Sequence, residues 1–372
     1  MKNLLSKLFD FVKEADKSEE SFISNESINN KVELVCNNIR IKAPIRFLLS
    51  CCAANIDNQE IDIRKPYTEI HGEDTYSGRT YDEKYIQVII DKYELPCNST
   101  TAYLTPAFRN RNTTMTPDTE LVGRNPELYK TTLELLNLVY DNTISPAQLF
   151  KEIIRRLLII RNRNENRIEQ LIHSLKGNDN DIYLSSEQIV TLLTQHLASK
   201  NTSRLPVLIV AAVYKTLSDI IGENIKPLQS HNAADKQTGS FGDVEIILSG
   251  DNNVITSYEM KDKRVTKSDI EIAVRKIVKS KEKIDNYIFI TTELIDKDVE
   301  DYAKSIYDIS GVEIAILDCI GFVKHFLHLF HRKRTVFLEK YQELVLAEPN
   351  SSVSQPLKEA FLALRQALEA DK

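Results

Sequence analysis

Two short strand-like runs joined by a turn constrain this chain more than any other stretch. Gly242–Leu248 and Val254–Lys261 are rich in β-branched and aromatic residues, and Ser249-Gly250-Asp251-Asn252-Asn253 between them has turn composition. The pattern predicts a β-hairpin. Side chains alternate across a strand with period two, so Glu259 and Lys261 share one face while Tyr258 and Met260 take the other. Asp243 and Glu245 share a face of the first strand by the same rule. A capping-box pattern follows, with Ser268 as N-cap and Glu271 three residues on, and Ile270, Ala273, Val274, Ile277 and Val278 recur at helical spacing. Next come an apolar strand at Tyr287–Thr292, a helix over Asp298–Ile309 and another strand at Val312–Leu317. An apolar helix over Leu205–Ile221, with Pro206 in its first turn, precedes the hairpin. This alternation predicts an α/β (α+β) arrangement: a mixed β-sheet flanked by helices.

The hairpin also brings together residue types suited to one kind of chemistry. Phosphodiesters resist hydrolysis so strongly that one general acid or base, worth about 10²–10⁴ in rate, falls far short, whereas a divalent metal closes much of the gap. Mg²⁺ takes oxygen ligands and keeps several waters, so one or two carboxylates, a backbone carbonyl and a phosphate oxygen suffice. Asp243 and Glu259 are the candidate carboxylates and the Met260 carbonyl is a further candidate ligand. Lys261 is placed to orient water and to offset charge on the phosphate as it reacts. The competing reading is a solvated strand face with a Glu–Lys pair worth about 0–1 kcal/mol. A second carboxylate–x–lysine copy, Asp82-Glu83-Lys84 downstream of Asp74, falls at the start of an expected helix over Tyr81–Leu95, where paired-strand geometry is unavailable.

Other features narrow the function. Net charge is −6, yet Lys151–Arg167 holds six basic residues against two acidic and Lys261–Lys283 holds nine against four, so local phosphate contact is compatible with an acidic total. Five cysteines, Cys36, Cys51, Cys52, Cys97 and Cys319, form neither an even framework nor a CxxC pair, which points to a reducing cytoplasm. No signal peptide is expected at the amphipathic N-terminus, and the apolar run Leu205–Tyr214 is too short to span a bilayer. His325, His328 and His331 fan across a helix without an HExxH pair, so a zinc site is not expected; no phosphate-gripping glycine loop and no GxSxG elbow occur. Before a polar stretch at Lys176–Asp181 the chain reads as mainly helical: Pro44–Ile56, Tyr81–Leu95, Pro126–Tyr140 and Ser145–Leu175. After it come helices at Ser186–Ala198, Gly321–Ala347 and Gln355–Ala370.

The segment resembles the PD-(D/E)xK nuclease core, and a longer stretch resembles SacI-like type II restriction endonucleases. The likeness rests on His231–Gly239 (HNAADKQTG), Gly242-Asp243-Val244-Glu245 and Tyr258-Glu259-Met260-Lys261-Asp262, with Tyr76–Arg79 and Leu104–Asn112 further upstream. Gly242 stands where the superfamily name has proline. The resemblance implies a PD-(D/E)xK-type core over residues 181–320, a helical recognition region over 1–180, and C-terminal helices over 321–372 that pack on the core or at a dimer interface. It implies Mg²⁺-dependent cleavage of both strands of DNA at a short sequence by a cytoplasmic homodimer, with one or two Mg²⁺ ions per active site and a cognate DNA methyltransferase encoded elsewhere, a restriction-modification pair serving phage defence. Asp243, Glu259 and Lys261 inherit the catalytic positions, with Glu245 and His231 as additional candidates. Lys236, Gln237, Thr238, Arg109, Asn110, Arg111 and Arg79 are candidate DNA contacts, since Arg can pair bidentately with guanine and Asn with adenine. Alternatives are a structure-specific repair nuclease and a DNA-binding protein that has lost catalysis.

Overall fold

The computed structural model describes residues 4–38, 40–70, 72–109, 111, 113–176, 184–228, 240–280 and 284–370. The chain divides into two compact units, Met1–Arg167 and Ile168–Lys372, each with its own core.

The first unit is helical. Helices α1 (Leu4–Lys17), α2 (Glu26–Asn37), α3 (Ala43–Asp57), α4 (Gly78–Tyr81), α5 (Gln87–Tyr93), α6 (Pro126–Tyr140) and the start of α7 (Pro146–Lys176) enclose a core in which Phe47 and Phe108 stack at 4.2 Å. Helix α6 begins at the expected residue because Asn125 accepts Leu128 N–H and Pro126 fills the first turn. The helix expected over Tyr81–Leu95 starts earlier, at Gly78, and carries a π-helical turn over Asp82–Ile86. That turn has a physical reason: Asp82 is fully buried and takes Arg46 Nε at 2.9 Å and Ala102 N at 3.0 Å, while Arg46 Nη1 donates to Asn98 O at 2.7 Å. The second carboxylate–x–lysine copy is therefore a structural ion pair with Arg46, and Glu83 is bound to Arg79 at 2.7 Å. Helices α1 and α2 were not expected from the sequence.

The second unit is built on a five-stranded mixed sheet in the order β1 (Glu223–Ile225), β2 (Val244–Leu248), β3 (Val254–Lys261), β4 (Asn286–Thr291), β5 (Glu313–Asp318). The β1–β2 and β2–β3 pairs are antiparallel, and β3–β4 and β4–β5 are parallel, as crossovers through helices require. Strand β1 was not foreseen: Glu-Asn-Ile is too short and polar to read as a strand, and it forms because Gly222, left-handed at φ +69°, turns the chain from α9 (Leu205–Ile221) onto the edge of β2. Residues Val244, Ile246, Tyr258 and Ile290 face α8 (Ser186–Leu197), α9 and three C-terminal helices, α12 (Cys319–Leu329), α13 (Arg334–Ala347) and α14 (Gln355–Ala370). The opposite face packs Tyr287, Phe289, Ile314 and Ile316 against α10 (Lys267–Lys279) and α11 (Lys297–Ser310). A bulge at Ile255 shifts the register between Ile246↔Thr256 and Ile247↔Val254, which turns Val254 towards the α10–α11 side.

Two helical expectations need correction. The single helix expected over Gly321–Ala347 is broken into α12 and α13 by a 3₁₀ turn at His331–Lys333, so His331 is not on the helix that carries His325 and His328. The capping box of α10 is made by Thr266 and Asp269, three residues apart, and not by Ser268 and Glu271.

His196 locks α8 to the C-terminal helices. It is fully buried, with Nδ1 3.0 Å from Tyr341 Oη and Nε2 3.0 Å from Leu357 O. Burial lowers its pKa from 6.5 to about 4. Between those values the unfolded chain binds a proton that the folded chain excludes, so stability falls as pH drops through this window and levels off below it. The loss is expected to reach about 3 kcal/mol, and urea melts from pH 7 to pH 4 should show a shallower slope in His196→Asn than in the wild type.

Candidate active site

The face of the sheet under α10 gathers the predicted residues where β2 and β3 stop pairing as a regular ladder. Register pairs end at Val244↔Tyr258, and Asp243 N still donates to Tyr258 O at 2.8 Å. One step further the Asp243 side chain replaces the ladder, with Oδ2 accepting Met260 N–H at 2.7 Å. Because a strand residue directs its N–H and C=O to the same side, the Met260 carbonyl also points to the β2 side, where Asp243 lies. Glu259 and Lys261 alternate with Tyr258 and Met260 as the period-two rule requires, and Lys261 Nζ lies 3.3 Å from Glu259 Oε1.

This approach explains the glycine. A Cβ at position 242 would lie 2.5 Å from Tyr258 O and 2.7 Å from Ser257 Oγ. The first of these is backbone within β3 and cannot give way, so neither alanine nor proline fits without pushing the strands apart. The Ser257 hydroxyl beneath it is fully buried and makes no hydrogen bond among the described residues.

Glu259 is held from three directions. Tyr287 Oη, buried opposite Ser257 in the β3–β4 register, lies 3.0 Å from Phe241 O and 3.2 Å from Glu259 Oε2, so its one proton serves either acceptor. Lys276 Nζ on α10 is 3.9 Å from Oε2. Burial raises the Glu259 pKa; Lys276 opposes the rise and the nearby Asp243 carboxylate adds to it. Asp243 and Glu259 are thus close enough to repel, a cost that a cation between them would relieve. Burial works against the charge on Lys261, but Glu259 and Asp269 outweigh it and its pKa is raised.

The donor set suits a hard cation. Two carboxylates and a carbonyl offer oxygen only, and a carboxylate has about four lone-pair sites, more than the contacts above use. Among the described residues no group of three or more His, Cys, Asp or Glu could hold a metal.

Other predicted residues are placed differently. Both oxygens of Glu245 have partners, Phe241 N at 2.7 Å and Lys226 Nζ at 3.6 Å. Glu245 thereby ties down the segment that leads into Asp243. His231, Lys236, Gln237, Thr238 and Asn110 lie outside the described residues. Arg79, Arg109 and Arg111 belong to the first unit: Arg79 pairs with Glu83, Arg111 Nε donates to Ala107 O at 3.0 Å, and Arg109 is exposed. Sequence reading missed Asp269, Lys276 and Tyr287. The Thr266-x-x-Asp269 spacing, and Lys276 two helical turns beyond Asp269, were the available signals.

Residues 181–293, which span the hairpin, α10 and β4, match the model of the SacI restriction endonuclease C-terminal domain. A comparison with curated proteins gave no match. The resemblance read from Gly242–Glu245 and Tyr258–Asp262 holds over that span.

Gly242→Ala should lower the stability of the second unit by about 1–3 kcal/mol through overpacking against β3. Denaturant melts check it, and an alanine variant as stable as the wild type would show that the two strands are not this close.

Proposed function

We propose that the chain is a type II restriction endonuclease that hydrolyses phosphodiester bonds in both strands of DNA at a short specific sequence, with Mg²⁺. The observation that carries this reading is the convergence of Asp243, Met260, Glu259 and Lys261 at the open end of the β2–β3 pair, inside the segment that matches a restriction endonuclease family. Asp243, Glu259 and the Met260 carbonyl would hold one or two Mg²⁺ ions, which when bound supply a Lewis acid for phosphate oxygens and an activated water.

The chain's own residues do the rest. Lys261, charged and adjacent to Glu259, offsets the negative charge that builds on the phosphate and orients the attacking water. Tyr287 and Lys276 keep the Glu259 carboxylate directed at the site. Basic residues near the end of β3 and along α10, among them Lys263, Arg264, Lys267 and Arg275, are candidate phosphate contacts. The helical unit carries sequence readout, with Arg79, Arg109, Asn110 and Arg111 as its candidates, and Lys236, Gln237 and Thr238, upstream of the catalytic strand, are candidates for reaching the backbone near the cut. Cutting both strands of a duplex calls for two such sites, hence a homodimer, and protection of host DNA calls for a cognate methyltransferase. Among the described residues no helix is long and apolar enough to cross a membrane.

Incubation of the purified protein with plasmid DNA and Mg²⁺ should yield discrete fragments, abolished by EDTA. A smear or junction-specific cuts would favour a repair nuclease, and intact but shifted DNA would favour binding alone. Lys261→Ala is expected to reduce cutting by roughly 10²-fold or more at nearly unchanged DNA affinity. Normal cutting by that variant would remove the lysine from the mechanism.

A further inference from the structure

The Lys261 ammonium stands between two carboxylates, Glu259 Oε1 at 3.3 Å and Asp269 Oδ1 at 3.2 Å. Glu259 comes from the same strand, but Asp269 comes from α10, the helix laid over that face. The two oxygens of Asp269 have separate tasks. Oδ2 accepts Thr266 N at 2.9 Å and Thr266 Oγ1 at 2.6 Å, while Thr266 Oγ1 accepts Asp269 N at 3.3 Å, closing the capping box. Oδ1 faces Lys261. The cap therefore fixes the carboxylate, and the carboxylate fixes the amine.

We propose that Asp269 is a positioning residue for Lys261, holding its ammonium at the reacting phosphate while Glu259 serves the metal. The inference rests on the assignment of Lys261 above. Lysine is a flexible four-carbon stem, and Lys261 is the last residue of β3. Its anchor at Glu259 is the one that weakens in the working enzyme, because a carboxylate that binds a divalent ion shares its charge with that ion. Asp269 is outside the donor set of Asp243, Glu259 and Met260, so its hold on Lys261 persists. The Phe289 ring, 6.0 Å from Nζ, closes the site from below. Lys276, on the same helix, faces Glu259 instead, so α10 presents an acid to the amine and an amine to the acid.

Four variants separate this role from helix capping. Asp269→Asn keeps size and a capping oxygen but removes the charge, whereas Thr266→Ala breaks the cap and keeps the carboxylate. With a short duplex substrate and Mg²⁺, Asp269→Asn should lower kcat roughly 10- to 100-fold with KM unchanged, as a misplaced reacting group does. DNA affinity measured with Ca²⁺ should stay at the wild-type value. Thr266→Ala should melt at lower temperature and lose less kcat than Asp269→Asn, since the backbone N–H at 266 still holds Oδ2 and the charge facing Lys261 is kept. Asp269→Glu and Asp269→Gln repeat the comparison at longer reach, with Glu the faster, should the Asn variant melt too early to assay. Wild-type kcat in Asp269→Asn, equal rates in the Glu and Gln variants, or an equal loss in Thr266→Ala would overturn the proposal. Failure of the underlying assignment has a different signature: no cutting by wild type with Mg²⁺, or normal cutting by Lys261→Ala.

Discussion

The contact on which the site depends is the close passage of Gly242-Asp243 over the backbone of β3. Without a Cβ at 242, the chain approaches Tyr258 and Ser257 closely enough for Asp243 N to bond Tyr258 O and for the Asp243 carboxylate to take Met260 N–H. A carboxylate that replaces a ladder partner is positioned to the accuracy of the sheet itself. Everything else on that face is referred to it: the Met260 carbonyl turns to the same side, and Glu259 and Lys261 follow from strand alternation. The glycine before Asp243 is thus explained by the nearness of β3. Proline would meet the same backbone atoms that exclude alanine.

The hairpin, its turn and the face shared by Glu259 and Lys261 were legible in the sequence, because period-two alternation and turn composition are local signals. The helices Leu205–Ile221, Pro126–Tyr140 and Gln355–Ala370 were legible to the residue for a similar reason, with Pro in the first turn of each. Strand β1 was not, since three residues become a strand only where an edge awaits them. The break between α12 and α13 was missed because Phe330 to Arg334 contains neither Gly nor Pro. The capping box of α10 was misassigned by two residues in a stretch, Thr266-Lys267-Ser268-Asp269-Ile270-Glu271, where two hydroxyl–carboxylate pairs of equal spacing compete. Only the backbone decides between them, and it chose the pair whose acid meets Lys261.

Charge runs were the least reliable part of the sequence. In Lys151–Arg167 the cations are largely spent inside the first unit: Lys151 on Glu14, Arg155 on Glu152, Arg156 on Glu152 and Glu33, Arg161 on Glu165. Glu152 is fully buried and also accepts Phe22 N, so the group is an internal strut. The Asp82-Glu83-Lys84 copy is structural in the same way. Composition counts charges; it does not reveal which are already paired.

The second basic run differs in part: Arg264 and Lys267 pair with Asp296 and Asp298, but two of its lysines meet at the site. Lys261 and Lys276 both contact Glu259, and Asp269 answers Lys261, giving an alternating set of charges between one strand and one helix. Such a set holds two opposed requirements together. Glu259, buried and near Asp243, is costly to ionise without cations beside it, and the lysines make that charge tolerable. In the proposed reaction the same carboxylate would also serve a metal, which would compete with those lysines for its oxygens. On that proposal, a site built only from Asp243, Glu259 and Lys261 would loosen the amine at the moment it is needed. Supplying the amine with a second carboxylate from a capped helix terminus removes that conflict, because the bond that holds Asp269 is to the backbone and hydroxyl of Thr266 and does not change when Glu259 changes partners.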